Sequence, residues 1–133
     1  NFKKLKKNFS NNKKISFYNN ALSSHNKIMN FYSSNDTSKL DEKGNEKIIV
    51  NTLDSLSLTP DFIKVDIEGG EKDFILGSKE TIQKYKPQLA ICVYHKSDDF
   101  FYLADLILGI NNRYKIYFRH HSFGFTESVM YFI

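Results

Sequence analysis

The residues QLAICVY, positions 88–94, form an almost wholly apolar run directly after Pro87. A run of this length and composition predicts a strand that is covered on both faces, as in a parallel sheet with helices on either side. The preceding segment, 71–86, has the apolar spacing of a helix, and Pro87 ends it because proline cannot continue a helix. This order of helix and buried strand favours the α/β class of folds.

Regular structure is predicted on both sides of this run. Residues 48–53 (IIVNTL) and 62–68 (FIKVDIE) have the composition of short strands. Ser97 can cap a helix from Asp98 to Ile110, whose acidic first turn complements the positive end of the helix dipole. The final segment, 114–133, contains two apolar strands separated by a Gly-containing turn, which predicts an antiparallel hairpin.

The amino-terminal third of the chain is more polar. Phe2, Leu5 and Phe9 recur at helical spacing among lysines, which predicts a short amphipathic helix. Residues 15–19 (ISFYN) have the composition of a strand. The segment 23–47 has few apolar residues and predicts a loop or a loose hairpin.

The chain is therefore expected to form a single domain. Its 133 residues are enough for one core of ordinary size. The expected parts are a helix and a strand in 1–22, the loop or loose hairpin in 23–47, and an α/β core with a terminal hairpin in 48–133.

Composition and charge argue against several kinds of protein. The formal net charge is only +4, and the lysines near the amino terminus precede no recognisable nucleic-acid-binding module, so no nucleic-acid partner is predicted. Cys92 is the only cysteine, which excludes an internal disulfide and a metal site built on paired cysteines. The sequence has neither a secretory signal nor an apolar run of membrane-spanning length, so a cytoplasmic location without a membrane span is predicted.

Charged residues interrupt the predicted strand 62–68 at its carboxyl end. If the alternation of a strand continues to Glu68, the aliphatic residues face the core while Lys64, Asp66 and Glu68 face the other side. Charged groups at the carboxyl ends of parallel strands line the crevice where such folds bind ligands. Asp66 and Glu68 are therefore predicted to belong to a functional site, where the following Gly69-Gly70 pair lets the backbone turn sharply.

Each of these residues also has a simpler explanation. Lys64 could pair with Asp66, and Glu71 could be a favourable acid in the first turn of a helix. His95 ends the apolar run and could be either a general base or an ordinary surface residue. Asp66, Glu68 and His95 could together bind a metal, but no compact ligand-spacing motif supports that site, and no metal is predicted.

These residues belong to a longer pattern that resembles a known family. The matching stretches are NTLDSL at 51–56, IKVDIEGGE at 63–71, Leu76-Gly77, KPQLAICVYH at 86–95 and the final RHH hairpin. The sequence resembles the FkbM family of S-adenosylmethionine-dependent methyltransferases. The resemblance implies a class I methyltransferase fold, a Rossmann-like and mostly parallel sheet ending in an antiparallel hairpin. It also implies methyl transfer to an oxygen of a sugar or natural product, with a small-molecule or glycan acceptor.

The resemblance also implies roles for individual residues. Asn20 and Ala21 are expected near the adenine of S-adenosylmethionine, and Asp66 beside the methyl donor and acceptor. His95 is the first candidate for the base that removes the hydroxyl proton, with Asp66 or Glu68 orienting the acceptor. The residues expected to contact the acceptor are Lys64, Glu71 and His120.

The chain departs from this family at its amino terminus. The resemblance implies a strand, a Gly-rich turn and a second strand with a ribose-binding acid before residue 15, yet the sequence contains no G-x-G. We therefore expect a fold truncated at its amino-terminal side, which by itself neither binds the cofactor tightly nor catalyses. The alternative prediction is a non-catalytic α/β module that pairs through an exposed sheet edge with a second copy or with a separate amino-terminal half.

Overall fold

The computed structural model describes residues 2–33, 38–40, 44 and 46–133. The α-helices in these ranges are α1 (Phe2–Phe9), α2 (Glu71–Leu76), α3 (Lys79–Tyr85) and α4 (Asp99–Ile110). The strands are β1 (Ala21–Leu22), β2 (Lys27–Ser33), β3 (Ser38–Leu40), β4 (Glu46–Asn51), β5 (Phe62–Val65), β6 (Gln88–Cys92), β7 (Ile116–His120) and β8 (Ser128–Phe132). No helix within the described ranges has the length and apolar character needed to cross a membrane.

The strands form two mixed sheets. The first sheet has the order β1-β4-β2-β3 and the second has the order β5-β6-β8-β7. The pairs β1–β4 and β5–β6 are parallel, whereas the other pairs of described strands are antiparallel. The predicted α/β class is therefore confirmed, but the described strands do not form a mostly parallel sheet. The antiparallel pairs come from the closing hairpin and from the strands within 27–51.

The main core lies on one face of the second sheet. Its buried side chains come from α2, α3 and α4 and from β5, β6 and β8, and include Phe74, Ile75, Ile82, Leu103, Ile107, Val65, Leu89, Ile91, Met130 and Phe132. Full burial of one such side chain stabilises a fold by roughly 1.5–3 kcal/mol, so this cluster holds the helices on the sheet. The opposite face carries a smaller buried cluster of Ala90, Cys92 and Val129. Strand β6 is thus buried on both faces, as its sequence predicted.

The segment 71–86 was predicted to be one helix, and this prediction is wrong. The helix breaks at Gly77-Ser78 into α2 and α3, and the Ser78 hydroxyl donates a hydrogen bond of 2.6 Å to the Phe74 carbonyl. Gly77 lies against the backbone of Ser23, where any side chain would collide. The break is therefore set by a contact with a distant part of the chain.

Two other local predictions are also wrong. Residues 15–19 form no strand. The strand nearest to them is β1, in which Ala21 and Leu22 pair in parallel with Val50 and Asn51. Helix α4 is present as predicted, but Asp98 occupies the N-cap position in place of Ser97.

The segment 23–47 was predicted to be a loop or a loose hairpin, and part of it forms antiparallel strands. Strands β2 and β3 pair antiparallel, and β2 also pairs with β4, which begins at Glu46. Residues 34–37, 41–43 and 45 lie outside the described part of the chain. The proposed division at positions 22 and 47 stays a prediction. The amphipathic helix and the closing hairpin are confirmed as α1 and as β7 with β8.

Candidate active site

Strand β5 ends at Val65, three residues earlier than its sequence predicted. The chain then turns, with φ of 56° at Glu68 and 87° at Gly69, both in the left-handed region. These values break the alternation of a strand, so the prediction that Asp66 and Glu68 share one strand face is wrong. Both acids instead belong to a turn that leads into α2.

Asp66 is held by hydrogen bonds from strand β5 and from the segment that follows β6. Lys64 Nζ donates a bond of 3.1 Å to Oδ2, and the Tyr94 hydroxyl donates one of 3.2 Å to Oδ1. Partial burial by itself raises the pKa of Asp66, but the hydrogen bond and charge of Lys64, with further bonds from Cys92 and Tyr94, bring the pKa below its usual value. Asp66 is therefore an ionised carboxylate near neutral pH.

The imidazole of His95 lies beside a buried acid, Glu71. The side chain of Glu71 is 1% exposed and that of His95 is 9% exposed, and His95 Nδ1 lies 3.0 Å from Glu71 Oε1. The same Oε1 accepts a hydrogen bond of 3.0 Å from the backbone N–H of Ile67. Glu71 thus connects the turn after β5 to the end of β6.

The other ring nitrogen of His95 faces the two acids of the turn. Nε2 lies 3.7 Å from Asp66 Oδ1 and 3.8 Å from Glu68 Oε2. The parallel pairing of β5 with β6 places their carboxyl ends side by side, which explains this convergence. The predicted group of Asp66, Glu68 and His95 therefore lies together in the fold.

A cavity of about 680 Å³ lies beside this group. One wall is formed by residues at β1 and by Phe31, and the other by the end of β5 and the turn that follows it. The predicted site residues that line the cavity are Asn20, Ala21, Lys64, Asp66 and Glu68. His95 and Glu71 are not among the described lining residues, so they lie behind the acids rather than on the cavity surface.

His120 lies apart from this group. It is on β7, the edge strand of the second sheet opposite β5, and is separated from β6 by β8. Its Nδ1 lies 2.8 Å from the hydroxyl of Ser128, and it is not among the described residues that line the cavity. The fold therefore does not bring His120 together with the other predicted acceptor-binding residues.

Tyr94 and Lys96 belong to the site but were not predicted from the sequence. Tyr94 binds Asp66 directly, and Lys96 lines the cavity and donates a hydrogen bond from Nζ to the Gly69 carbonyl. Both flank His95 at the end of β6. His95 was identified because polar residues at the carboxyl ends of parallel strands tend to line a ligand site, and the same argument could have identified Tyr94 and Lys96.

The polar groups of the site are not arranged as a metal centre. Within the described ranges, no group of three or more His, Cys, Asp or Glu residues has an arrangement that could hold a metal ion. Hydrogen bonds from Lys64 and Tyr94 already occupy both oxygens of Asp66. The site is suited to hydrogen bonding and proton transfer.

A family model for the methyltransferase FkbM domain matches residues 1–129, which is nearly the whole chain. The chain belongs to the FkbM methyltransferase domain family. A search of curated proteins found no match.

A solved FkbM structure supports this assignment. The methyltransferase FkbM from Methylobacillus flagellatus KT is 27% identical to this chain and superimposes with a TM-score of 0.79. The match covers 98% of this chain and 32% of the other, so the chain spans about a third of the length of that FkbM protein.

One of the FkbM-like stretches, NTLDSL, has a structural role here. The carboxylate of Asp54 accepts hydrogen bonds of 3.2 Å and 2.8 Å from the backbone N–H groups of Glu80 and Thr81, in the first turn of α3. These N–H groups have no partner within the helix, so Asp54 acts as a cap supplied from a distant segment. The FkbM-like pattern thus includes a residue that stabilises a helix of the fold as well as residues of the site.

Proposed function

We propose that this chain is part of an S-adenosylmethionine-dependent methyltransferase that methylates a hydroxyl group of a small molecule or glycan. The observation that carries the proposal is the convergence of Asp66, Glu68 and His95 at the carboxyl ends of two parallel strands, beside a cavity. Membership of the FkbM family supports methyl transfer as the chemistry. The class I methyltransferase fold remains part of this proposal.

The cavity has features that fit the methyl donor. Asp66 and Glu68 present carboxylate oxygens, which complement the positive charge of a sulfonium group. Leu22 and Phe31 supply apolar surface on the wall that also contains Asn20 and Ala21, where the adenine is proposed to lie. When bound, S-adenosylmethionine supplies an electrophilic methyl group.

The acids that line the cavity and the histidine behind them suit removal of a hydroxyl proton. Asp66 has a lowered pKa and is therefore a weak base, which suits it to orienting the acceptor rather than taking its proton. His95 Nε2 lies next to Asp66 and Glu68. We assign the proton to Nε2, the ring nitrogen that faces the two acids lining the cavity.

Ligand-detected NMR with S-adenosylmethionine tests this proposal. We expect saturation transfer from the chain to the cofactor, with the affinity reduced about tenfold or more in Asp66→Asn because one charge facing the sulfonium is lost. Asp61→Asn is the matched control, since Asp61 is exposed and precedes β5 at its other end. The proposal is wrong if the cofactor does not bind, or if both variants bind it as well as the unchanged chain does.

We further propose that the chain alone binds the cofactor weakly. The two walls of the cavity contain β1 and β5, which are the outermost strands of separate sheets. No strand in the described ranges joins them, so no backbone pairing between β1 and β5 fixes their separation. Micromolar affinity of the isolated chain for S-adenosylmethionine in calorimetry would contradict this.

The same sheet edge favours a second candidate function. Among the described strands, β5 pairs only with β6, which leaves its other edge free for strand addition. A non-catalytic module could use this edge to pair with a second copy or with a separate amino-terminal half. Sedimentation at increasing concentration tests self-association: a chain that stays monomeric at high concentration does not pair with itself.

A further inference from the structure

The pair Glu71 and His95 contains polar atoms whose hydrogen-bonding capacity is unused. Among the described residues, the buried side-chain atoms without a hydrogen-bond partner are Glu71 Oε2, His95 Nδ1 and His95 Nε2. His95 Nδ1 and Glu71 Oε1 are 3.0 Å apart, within hydrogen-bonding distance but not in hydrogen-bonding alignment. Buried polar atoms are costly unless they are paired, so a small rotation of the ring that aligns this contact is favourable.

The other hydrogen bond of Glu71 indicates whether Oε1 or Nδ1 carries the hydrogen between them. The backbone N–H of Ile67 donates to Oε1 at 3.0 Å, which favours Oε1 as an acceptor in its contact with His95 as well. The hydrogen between Oε1 and Nδ1 is then assigned to the imidazole. In a neutral imidazole with a hydrogen on Nδ1, the lone pair that accepts protons is on Nε2.

We propose that Glu71 is a positioning residue that holds His95 as the Nδ1–H tautomer and leaves Nε2 as the proton acceptor. This rests on the proposed function, in which His95 removes the acceptor proton. Glu71 had been expected to contact the acceptor, but its side chain is only 1% exposed and does not line the described cavity surface. It acts on the reaction through His95.

The surroundings of Nε2 favour its protonated form, which is the product of this step. Its polar neighbours, Asp66 Oδ1 at 3.7 Å and Glu68 Oε2 at 3.8 Å, are acceptors when ionised, so none of them donates a hydrogen to Nε2. A substrate hydroxyl supplies the missing donor. Once Nε2 is protonated, the two carboxylates stabilise the resulting cation.

The step balances as a methyl transfer. The acceptor O–H bond breaks, its proton goes to Nε2, and the oxygen forms a bond to the methyl carbon. The electron pair of the broken sulfur–carbon bond stays on the sulfur of the methyl donor, which becomes a neutral thioether. The proton then leaves for solvent through Asp66 or Glu68, whose side chains are 32% and 49% exposed.

Nitrogen-15 NMR of the imidazole tests the proposal without cofactor or substrate. Multiple-bond spectra of the labelled chain distinguish the two neutral tautomers, and loss of a signal set in His95→Gln assigns the residue. We expect Nδ1 of the neutral ring to carry the hydrogen. A predominant Nε2–H tautomer in the unchanged chain would overturn the proposal.

Two variants of Glu71 separate a positioning role from packing alone. Glu71→Met keeps the length of the side chain but removes the acceptor, so both tautomers should be populated. Glu71→Gln keeps an oxygen that can accept from Ile67 and His95, so the Nδ1–H tautomer should persist. An unchanged tautomer in Glu71→Met would show that Glu71 does not set it.

The result of the tautomer experiment can be distinguished from the result of the cofactor-binding experiment that tests the proposed function. The spectra of the unchanged chain decide the tautomer even if Glu71→Met fails to fold. If the Nδ1–H tautomer is found but S-adenosylmethionine does not bind, the positioning by Glu71 stands and methyl transfer is the part that fails.

Discussion

The backbone of Gly77 lies directly against the carbonyl oxygen of Ser23, and a Cβ atom built on Gly77 would be only 2.1 Å from that oxygen. Gly77 separates α2 from α3, and Ser23 directly follows β1, so this contact joins the helices of the second sheet to a strand of the first sheet. Ser23 also lines the cavity. The glycine therefore sets the distance between the two walls of the site.

Gly77→Ala should destabilise the chain strongly. The added methyl group would overlap a backbone oxygen that cannot rotate away, and we expect the free energy of unfolding to fall by about 3 kcal/mol. Gly109→Ala is the control, since its Cβ meets nothing within 4 Å and alanine favours the helix by about 1 kcal/mol. Urea denaturation of both variants measures the difference, and equal stability would contradict the close contact.

The cap that Asp54 provides for α3 makes a second prediction. Asp54→Ala leaves the backbone N–H groups of Glu80 and Thr81 without their acceptor, so the free energy of unfolding should fall by about 1–2 kcal/mol. Asp54→Asn keeps one acceptor oxygen and should lose less. If thermal or urea unfolding shows the same loss in both variants, the hydrogen bonds are not what stabilises this helix.

These two contacts show which parts of the fold the sequence could predict. The pattern of apolar residues within a short segment is enough to predict β6, α4 and the closing hairpin, because burial follows local periodicity there. The break at Gly77 depends on Ser23, and the start of α3 depends on Asp54. Such contacts join distant segments and leave no local periodicity to detect.

The candidate site also has parts that the sequence could predict and parts that it could not. The grouping of Asp66, Glu68 and His95 was predicted correctly from their positions at strand ends, because β5 and β6 are parallel neighbours. The burial of Glu71 could not be predicted, since it depends on a contact with His95, which is distant in the sequence.

Cys92 should be almost unreactive in the folded chain. Its side chain is buried, and burial together with the charge of Asp66 raises the pKa of the thiol from 9.0 to about 12. The fraction of reactive thiolate at neutral pH is then lower by roughly 1,000-fold. A colorimetric thiol reagent should react slowly with the folded chain and rapidly in denaturant, and equally fast reaction in both would contradict the burial.

The ion pair of Lys64 and Asp66 predicts an effect of acid on stability. The folded-state pKa of Asp66 is below its ordinary value of 3.8, so its contribution is complete above that pH and is lost as the pH falls through the folded-state pKa. Lys64→Met removes the hydrogen bond and the charge, and the pKa of Asp66 should rise. A carboxyl NMR titration measures this.

Lys79→Met is the control for that titration, because Lys79 is exposed on α3 and is not among the groups that contribute most to the pKa shift of Asp66. It should leave the pKa of Asp66 unchanged. If both variants shift the pKa equally, the cause is the net charge of the chain rather than the contact with Lys64.

The buried pair of Glu71 and His95 gives the last prediction. His95→Leu removes the imidazole and leaves the buried carboxylate of Glu71 with only its bond from the Ile67 N–H, so the free energy of unfolding should fall by roughly 2 kcal/mol. The double variant Glu71→Leu, His95→Leu removes both partners and should recover much of that loss, since an apolar pair carries no desolvation penalty. Chemical denaturation of the two single variants and the double variant yields the coupling energy. Strictly additive losses would mean that the two side chains do not interact in the folded chain, and the proposed control of the His95 tautomer would lose its physical basis.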